Sequence, residues 1–143
     1  MYSILELAEH ATVPVINGLT DHSHPCQIMA DILTFEEHKG SIKGKKVAWI
    51  GDWNNVLTSW IHAAEKFEFD LHIASPKELR PQTASKNLKL CDSPEECVKD
   101  VDCVVTDTWF SMGNQNLEAQ RKLLEKYQVD EKLMALAKKD AIF

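Results

Sequence analysis

With 143 residues, 44% of them hydrophobic and 27% charged, the chain has the size and composition of one ordinary globular domain. A formal charge of −6 excludes a nucleic-acid surface of clustered Lys and Arg. No basic-then-apolar leader follows Met1 and no stretch nears the roughly 20 apolar residues of a membrane span, so a cytoplasmic protein without nucleic-acid or membrane partners is expected.

In chain order, Ile4, Leu5, Leu7, Ala8 and Ala11 form a short helical face, and residues 13–16 read as a brief strand in which Pro14 suits an edge or a first position. Pro25, Ile28, Met29, Ile32 and Leu33 then recur at i, i+3, i+4, i+7 and i+8, which predicts a helix starting at Pro25. His24 is its cap, Gln27 its third residue, and Gly40 its left-handed stop after Lys39. Two polar side chains and unpaired N–H groups thus meet at one helix end, which suits an anion or a polarised carbonyl oxygen.

A lysine-rich turn over residues 41–45 leads into an apolar strand, Lys46–Ile50. Gly51-Asp52 ends it, and Val56, Leu57, Trp60, Ile61, Ala64 and Phe67 keep a helical period. Asp70–Ala74 is a second strand, Ser93-Pro94 a capped helix start, and residues 102–106 a third strand. Helices around 117–127 and 131–138 follow, and residues 141–143 look like the opening of a fourth strand. Alternating strands and helices predict an α/β fold, a doubly wound parallel sheet of Rossmann-like form with helices on both faces.

Ligands of such sheets bind beyond the carboxyl ends of the strands. Two turns lie there. Gly51-Asp52-Trp53-Asn54-Asn55 has one glycine where a dinucleotide fingerprint needs three, so no nicotinamide or flavin cofactor is expected. Either asparagine could simply cap the next helix. The other turn opens with Asp107 directly after an apolar strand, where a ligand contact competes with loop bracing. His22 reads as a solvated loop residue. Cys26, Cys91, Cys97 and Cys103 lack the close pairing of structural zinc ligands, so neither a metal nor a disulfide is expected. Cys103 reads as a buried strand residue and Cys97 as a helix-face one. Only Arg80 and Arg121 are arginines, and neither lies near these motifs, so a guanidinium clamp for phosphate is lacking.

His24-Pro25-Cys26-Gln27 resembles the His-Pro-x-Gln motif of the aspartate and ornithine carbamoyltransferase family. The run from Val13 to Gln27 resembles its ornithine branch, as does Asp-Thr-Trp-x-Ser-Met-Gly from Asp107 to Gly113. The resemblance implies carbamoyl transfer from carbamoyl phosphate to L-ornithine, giving citrulline and phosphate. His24, Pro25, Cys26 and Gln27 would form the carbamoyl phosphate site, with His24 and Gln27 as its catalytic pair. Asn55 would hold the ornithine carboxylate, Asp107 its α-amino group, and Ser111 with the Met112 backbone its head group.

It also implies that residues 1–20 end a carbamoyl-phosphate domain, that 21–40 cross between domains, and that 41–143 are most of an ornithine domain. A Ser-Thr-Arg-Thr phosphate loop and a further arginine would precede Met1, and a His-Cys-Leu-Pro segment would follow Phe143. The resembled enzymes are homotrimers, and a chain of this extent is expected to be inactive alone. Trp53 and Glu68 stand where glycine is usual. An amino-acid-binding module without chemistry, or a structural remnant associating through an exposed sheet edge, are the alternatives.

Overall fold

The computed structural model describes residues 4–80, 87–109 and 117–143. Its helices are α1 (Ile4–His10), α2 (Pro25–Lys39), α3 (Asn55–Phe67), α4 (Pro94–Val98), α5 (Leu117–Leu124) and α6 (Glu131–Met134). The strands are β1 (Lys46–Ile50), β2 (Asp70–Ala74), β3 (Leu88–Leu90) and β4 (Cys103–Val105), wholly parallel and ordered β3-β2-β1-β4. The chain steps outward through β1, β2 and β3, then crosses back to place β4 on the other side of β1. That reversal makes the β1/β4 boundary the switch point of the sheet.

Alternation along the strands separates two cores. Val47, Trp49, Leu71 and Ile73 face α2 and α3, packing with Ile28, Ile32, Phe35, Leu57 and Trp60. Ala48, Ile50, Ala74 and Val104 face α4 and α6, packing with Cys97, Val98 and Leu133. Helices therefore cover both faces, as the sequence predicts, and Cys97 and Cys103 are buried in the expected roles. Among the described residues no helix is long and apolar enough to cross a membrane.

Several local expectations are corrected. No strand forms over residues 13–16, where Val13 and Ile16 are exposed and Pro14 removes a donor. The buried stripe of α2 is Ile28, Ile32 and Phe35; Met29 and Leu33, read as part of that stripe, point away from α3 and are exposed. Gly40 has positive φ but an extended ψ (70°, −167°), so it stops α2 from a glycine-only region and not from the left-handed helical one. Helix α6 ends at Met134, and three-residue turns such as Leu136 N to Leu133 O carry the chain onward. Residues 141–143 add one parallel bridge, Ile142 to Cys103, in place of a strand. Strand β3 had no sequence signal: it is three residues at the sheet edge, with Lys89 and Leu90 exposed.

Glu68 closes α3 in the left-handed conformation (φ 57°, ψ 47°), which costs a non-glycine residue roughly 1–2 kcal/mol. Its ion pair with Lys43 is exposed and offsets little of that. Glu68→Gly is expected to stabilise the fold by about 0.5–1 kcal/mol, after allowing for the freer unfolded chain. A rise in the urea midpoint at unchanged slope checks it.

At the opposite end of the sheet from that switch-point opening, Asp102 is buried and accepts from Lys46 N at 2.9 Å and Lys138 Nζ at 2.7 Å. Burial alone would push its carboxyl up, but the Lys138 and Lys46 hydrogen bonds outweigh burial and hold it below the ordinary 3.8. A depressed carboxyl contributes stability that is present above the unfolded value and lost as pH falls through the folded one. Asp102→Asn is expected to cost about 1–3 kcal/mol at neutral pH, with the gap closing as pH drops below about 4. Urea titrations at pH 7 and pH 3 read this directly.

Candidate active site at the sheet switch point

The carboxyl ends of β1 and β4 open into a cleft of about 2380 Å³, walled on its other side by the start of α2 and the loop before it. Gly51 leaves β1 with φ of 138°, a conformation L side chains rarely adopt. Around it, Thr106 Oγ1 donates to Ile50 O at 2.8 Å and Trp49 Nε1 donates to Asp52 O at 2.9 Å. The two strand ends are thereby fixed to each other and to the core.

Asn54 caps α3, its Oδ1 accepting from Val56 N and Leu57 N at 3.1 and 3.0 Å. Its Nδ2 reaches across the switch point to Asp107 Oδ2 at 2.8 Å, and Asp107 Oδ1 accepts Thr108 N at 2.7 Å. Asp107 is thus oriented by two donors while half-buried on the cleft wall. Asn55, read as a ligand or a cap, is the first residue of α3 and not its cap. Its Nδ2 donates to Thr20 O at 2.7 Å, tying α3 to the loop before α2, and leaves one amide hydrogen for another acceptor.

That loop is internally closed by Thr20 N to Ser23 O at 2.9 Å and Asn17 Nδ2 to Ser23 Oγ at 2.9 Å. His24 takes the cap position of α2, but its side chain makes no capping bond. Its backbone N–H donates instead to Ser59 Oγ at 2.8 Å, joining the start of α2 to α3. Among the described residues His24 Nδ1 is buried without a partner, as are Asn17 Oδ1 and Trp60 Nε1, and all three residues line the cleft. Unpaired buried polar atoms cost free energy, so they mark where a ligand or water has most to gain. Pro25 sets the first turn, Cys26 is exposed with its Sγ 3.4 Å from Asn17 O, and His22 is exposed in the loop. Gln27 Nε2 donates to Asp31 Oδ1 at 2.8 Å, one turn along α2.

The charged groups lining the cleft are Asp21, Asp31, Asp52 and Asp107, with His22 and His24; no described lysine or arginine is among them. Burial pushes the Asp31 carboxyl up, and Asp107 adds to this, while the Gln27 hydrogen bond and His24 oppose it. Burial likewise raises Asp52 against hydrogen bonds from Trp53 N and Gln120 Nε2, the latter at 2.9 Å. Arg80 is spent elsewhere, donating to Ser75 O at 2.7 Å and Cys91 O at 2.8 Å. Such a wall favours a cationic group and offers no guanidinium to a phosphate.

His24, Gln27, Asn55 and Asp107 therefore share one cleft, while Ser111 and Met112 lie outside the described residues. Sequence reasoning missed Asp31, Asp52 and the second role of Asn54. A signal existed for Asp31, four residues beyond Gln27 on a predicted helix. Among the described residues no group of three or more His, Cys, Asp or Glu is placed to hold a metal ion.

A parallel sheet with a cleft at its switch point, where polar side chains converge, defines an α/β domain of the doubly wound class. Within that class, this chain belongs to the aspartate/ornithine carbamoyltransferase family. Residues 43–143 match the family's Asp/Orn binding domain and residues 2–37 its carbamoyl-P binding domain. It is 54% identical to an ornithine carbamoyltransferase of Nitrobacter winogradskyi, over 99% of this chain and 48% of that protein. It is 56% identical to one of Rhodopseudomonas palustris, with the same coverage. The solved ornithine carbamoyltransferase of Pyrococcus furiosus superposes with a TM-score of 0.89 at 42% identity, covering 98% of this chain and 49% of that one. The chain spans about half the length of the curated relatives it matches.

Proposed function

We propose that this chain carries the ornithine-binding part, and one wall of the carbamoyl site, of an ornithine carbamoyltransferase. Residues 1–20 would end the carbamoyl-phosphate domain, 21–40 cross between domains, and 41–143 form the ornithine domain. Carbamoyl transfer needs an amine to attack the carbonyl carbon of carbamoyl phosphate, an oxyanion to be stabilised, and phosphate to leave. His24 supplies a donor at that oxygen and Gln27 binds the carbamoyl amide, with Pro25 and Cys26 as scaffold. Asp107 holds the α-amino group of ornithine, Asn55 its carboxylate, and Ser111 with the Met112 backbone the head group.

The observation that carries this reading is the cleft wall, where Asp107 is held by Asn54 within an acidic lining that has no lysine or arginine among the described residues and also contains His24 and Gln27. The δ-amine of ornithine resembles that of lysine, with a pKa of about 10.4, so neutralising it at pH 7 costs about 4–5 kcal/mol. A carboxylate beside the attacking amine would raise that cost, which is why Asp107 is assigned to the α-amino end. The lack of lysine or arginine among the described lining residues favours a second reading, amino-acid binding without transfer.

Calorimetric titration with ornithine, alone and with carbamoyl phosphate present, tests the proposal. Saturable heat supports it, and phosphate release from the two substrates together separates transfer from binding alone. No heat and no thermal shift in either titration would sink it.

A further inference from the structure

We infer that Asp31 is a positioning residue that fixes which face of the Gln27 amide meets the carbamoyl group; this rests on the function proposed above. A glutamine can present either its carbonyl oxygen or its NH₂ to a ligand, and the two differ only by a flip of the amide plane. Binding the NH₂ of a carbamoyl group requires the oxygen. An ionised carboxylate accepts hydrogen bonds and cannot donate them, so Asp31 admits only one of the two orientations. In the structure Gln27 Nε2 lies 2.8 Å from Asp31 Oδ1, which commits the nitrogen to Asp31 and leaves Gln27 Oε1 for the ligand.

The placement suits this role. Residues 27 and 31 are one turn apart on α2, so a rigid helix sets their separation. Asp31 is half-buried and lines the same cleft as His24 and Asp107. Its only described hydrogen bond is the one from Gln27, so its carboxylate is not consumed in holding α2 to the rest of the fold. Gln27 itself is exposed, and without this tether its amide would rotate between orientations.

Side-chain amide spectra of the ¹⁵N-labelled chain, with Asp31→Ala and Asp31→Asn, test the tether directly. One Gln27 amide proton displaced downfield and slow to exchange, reverting in Asp31→Ala, is the expected result; a freely averaging Gln27 amide in the unaltered chain would overturn the inference. For function, carbamoyl phosphate affinity is measured in a cycle with Gln27→Ala. Asp31→Ala is expected to weaken binding about 10-fold in the parent and to have no further effect once Gln27 is alanine. Asp31→Asn, whose amide can donate to Gln27 Oε1 as readily as it accepts from Nε2, keeps a contact without selecting an orientation and is expected to recover little of the loss. Additive losses, or full recovery in Asp31→Asn, would refute the orienting role of the carboxylate. No carbamoyl phosphate binding by the unaltered chain would instead count against the proposed function, with the amide spectrum still deciding the tether.

Discussion

Trp49→Ala is expected to lower stability by about 3–5 kcal/mol, the range for emptying an aromatic site in a packed core. The indole is completely buried on the central strand β1, against the core shared by α2 and α3. Domains of this size have about 5–15 kcal/mol in total, so the loss would leave many molecules close to unfolding on warming. Trp49 also donates its ring N–H to Asp52 O, the carbonyl at the turn into the cleft. Trp49→Phe keeps most of the bulk and removes that donor, so a smaller cost of about 1–2 kcal/mol is expected, together with weakened ligand binding. Urea denaturation of both variants, alongside ornithine titrations, separates the packing contribution from the hydrogen bond. Unchanged affinity in Trp49→Phe would show that the turn does not depend on the indole.

Asp107→Ala should abolish ornithine binding, a loss of about 100-fold or more for a charged hydrogen-bond partner of an ammonium group. Because Asn54 Nδ2 donates to Asp107, the alanine variant also leaves that amide without its acceptor, and part of any effect could be structural. Asp107→Asn is the better probe. Its amide oxygen can still accept from Asn54 or Thr108 N, so stability should stay within about 1 kcal/mol while binding falls nearly as far. Calorimetry on both variants decides it. An asparagine variant that binds ornithine normally but shifts the pH profile of turnover would move Asp107 from the α-amino group to the reacting amine.

Legibility from sequence followed the length and regularity of each signal. Strands β1 and β2 were readable because each is a mostly buried run behind one exposed charged residue, Lys46 or Asp70, and is followed closely by Gly51 or Pro76. Strand β3 was not, because three half-exposed edge residues carry no periodicity. On α2 the helical period was visible but its direction was not: apolar residues at 25, 28, 29, 32, 33 and 35 form a band wider than one contact, and only packing on α3 selects Ile28, Ile32 and Phe35. The site followed the same logic. His24, Gln27 and Asp107 stood out beside helix and strand ends, whereas the Asn54 bond to Asp107 spans 53 positions and no local pattern encodes it. Asp52 gave no hint of its link to Gln120 for the same reason.

The crossing back of the chain from β3 to β4 has a consequence for the order of events in folding. The pairing of β1 with β2 closes through α3 alone, a short loop that can form early. The β1/β4 seam joins Ile50 to Thr106, 56 positions apart, and its closure entropy is only repaid once both strands are seated. Asn54 and Asp107 meet across that same seam. The cleft is therefore expected to assemble after the β1, β2 and α3 unit. A chain that has collapsed around β1, β2 and α3 already has most of its first core, yet it cannot select a ligand until the far strand docks.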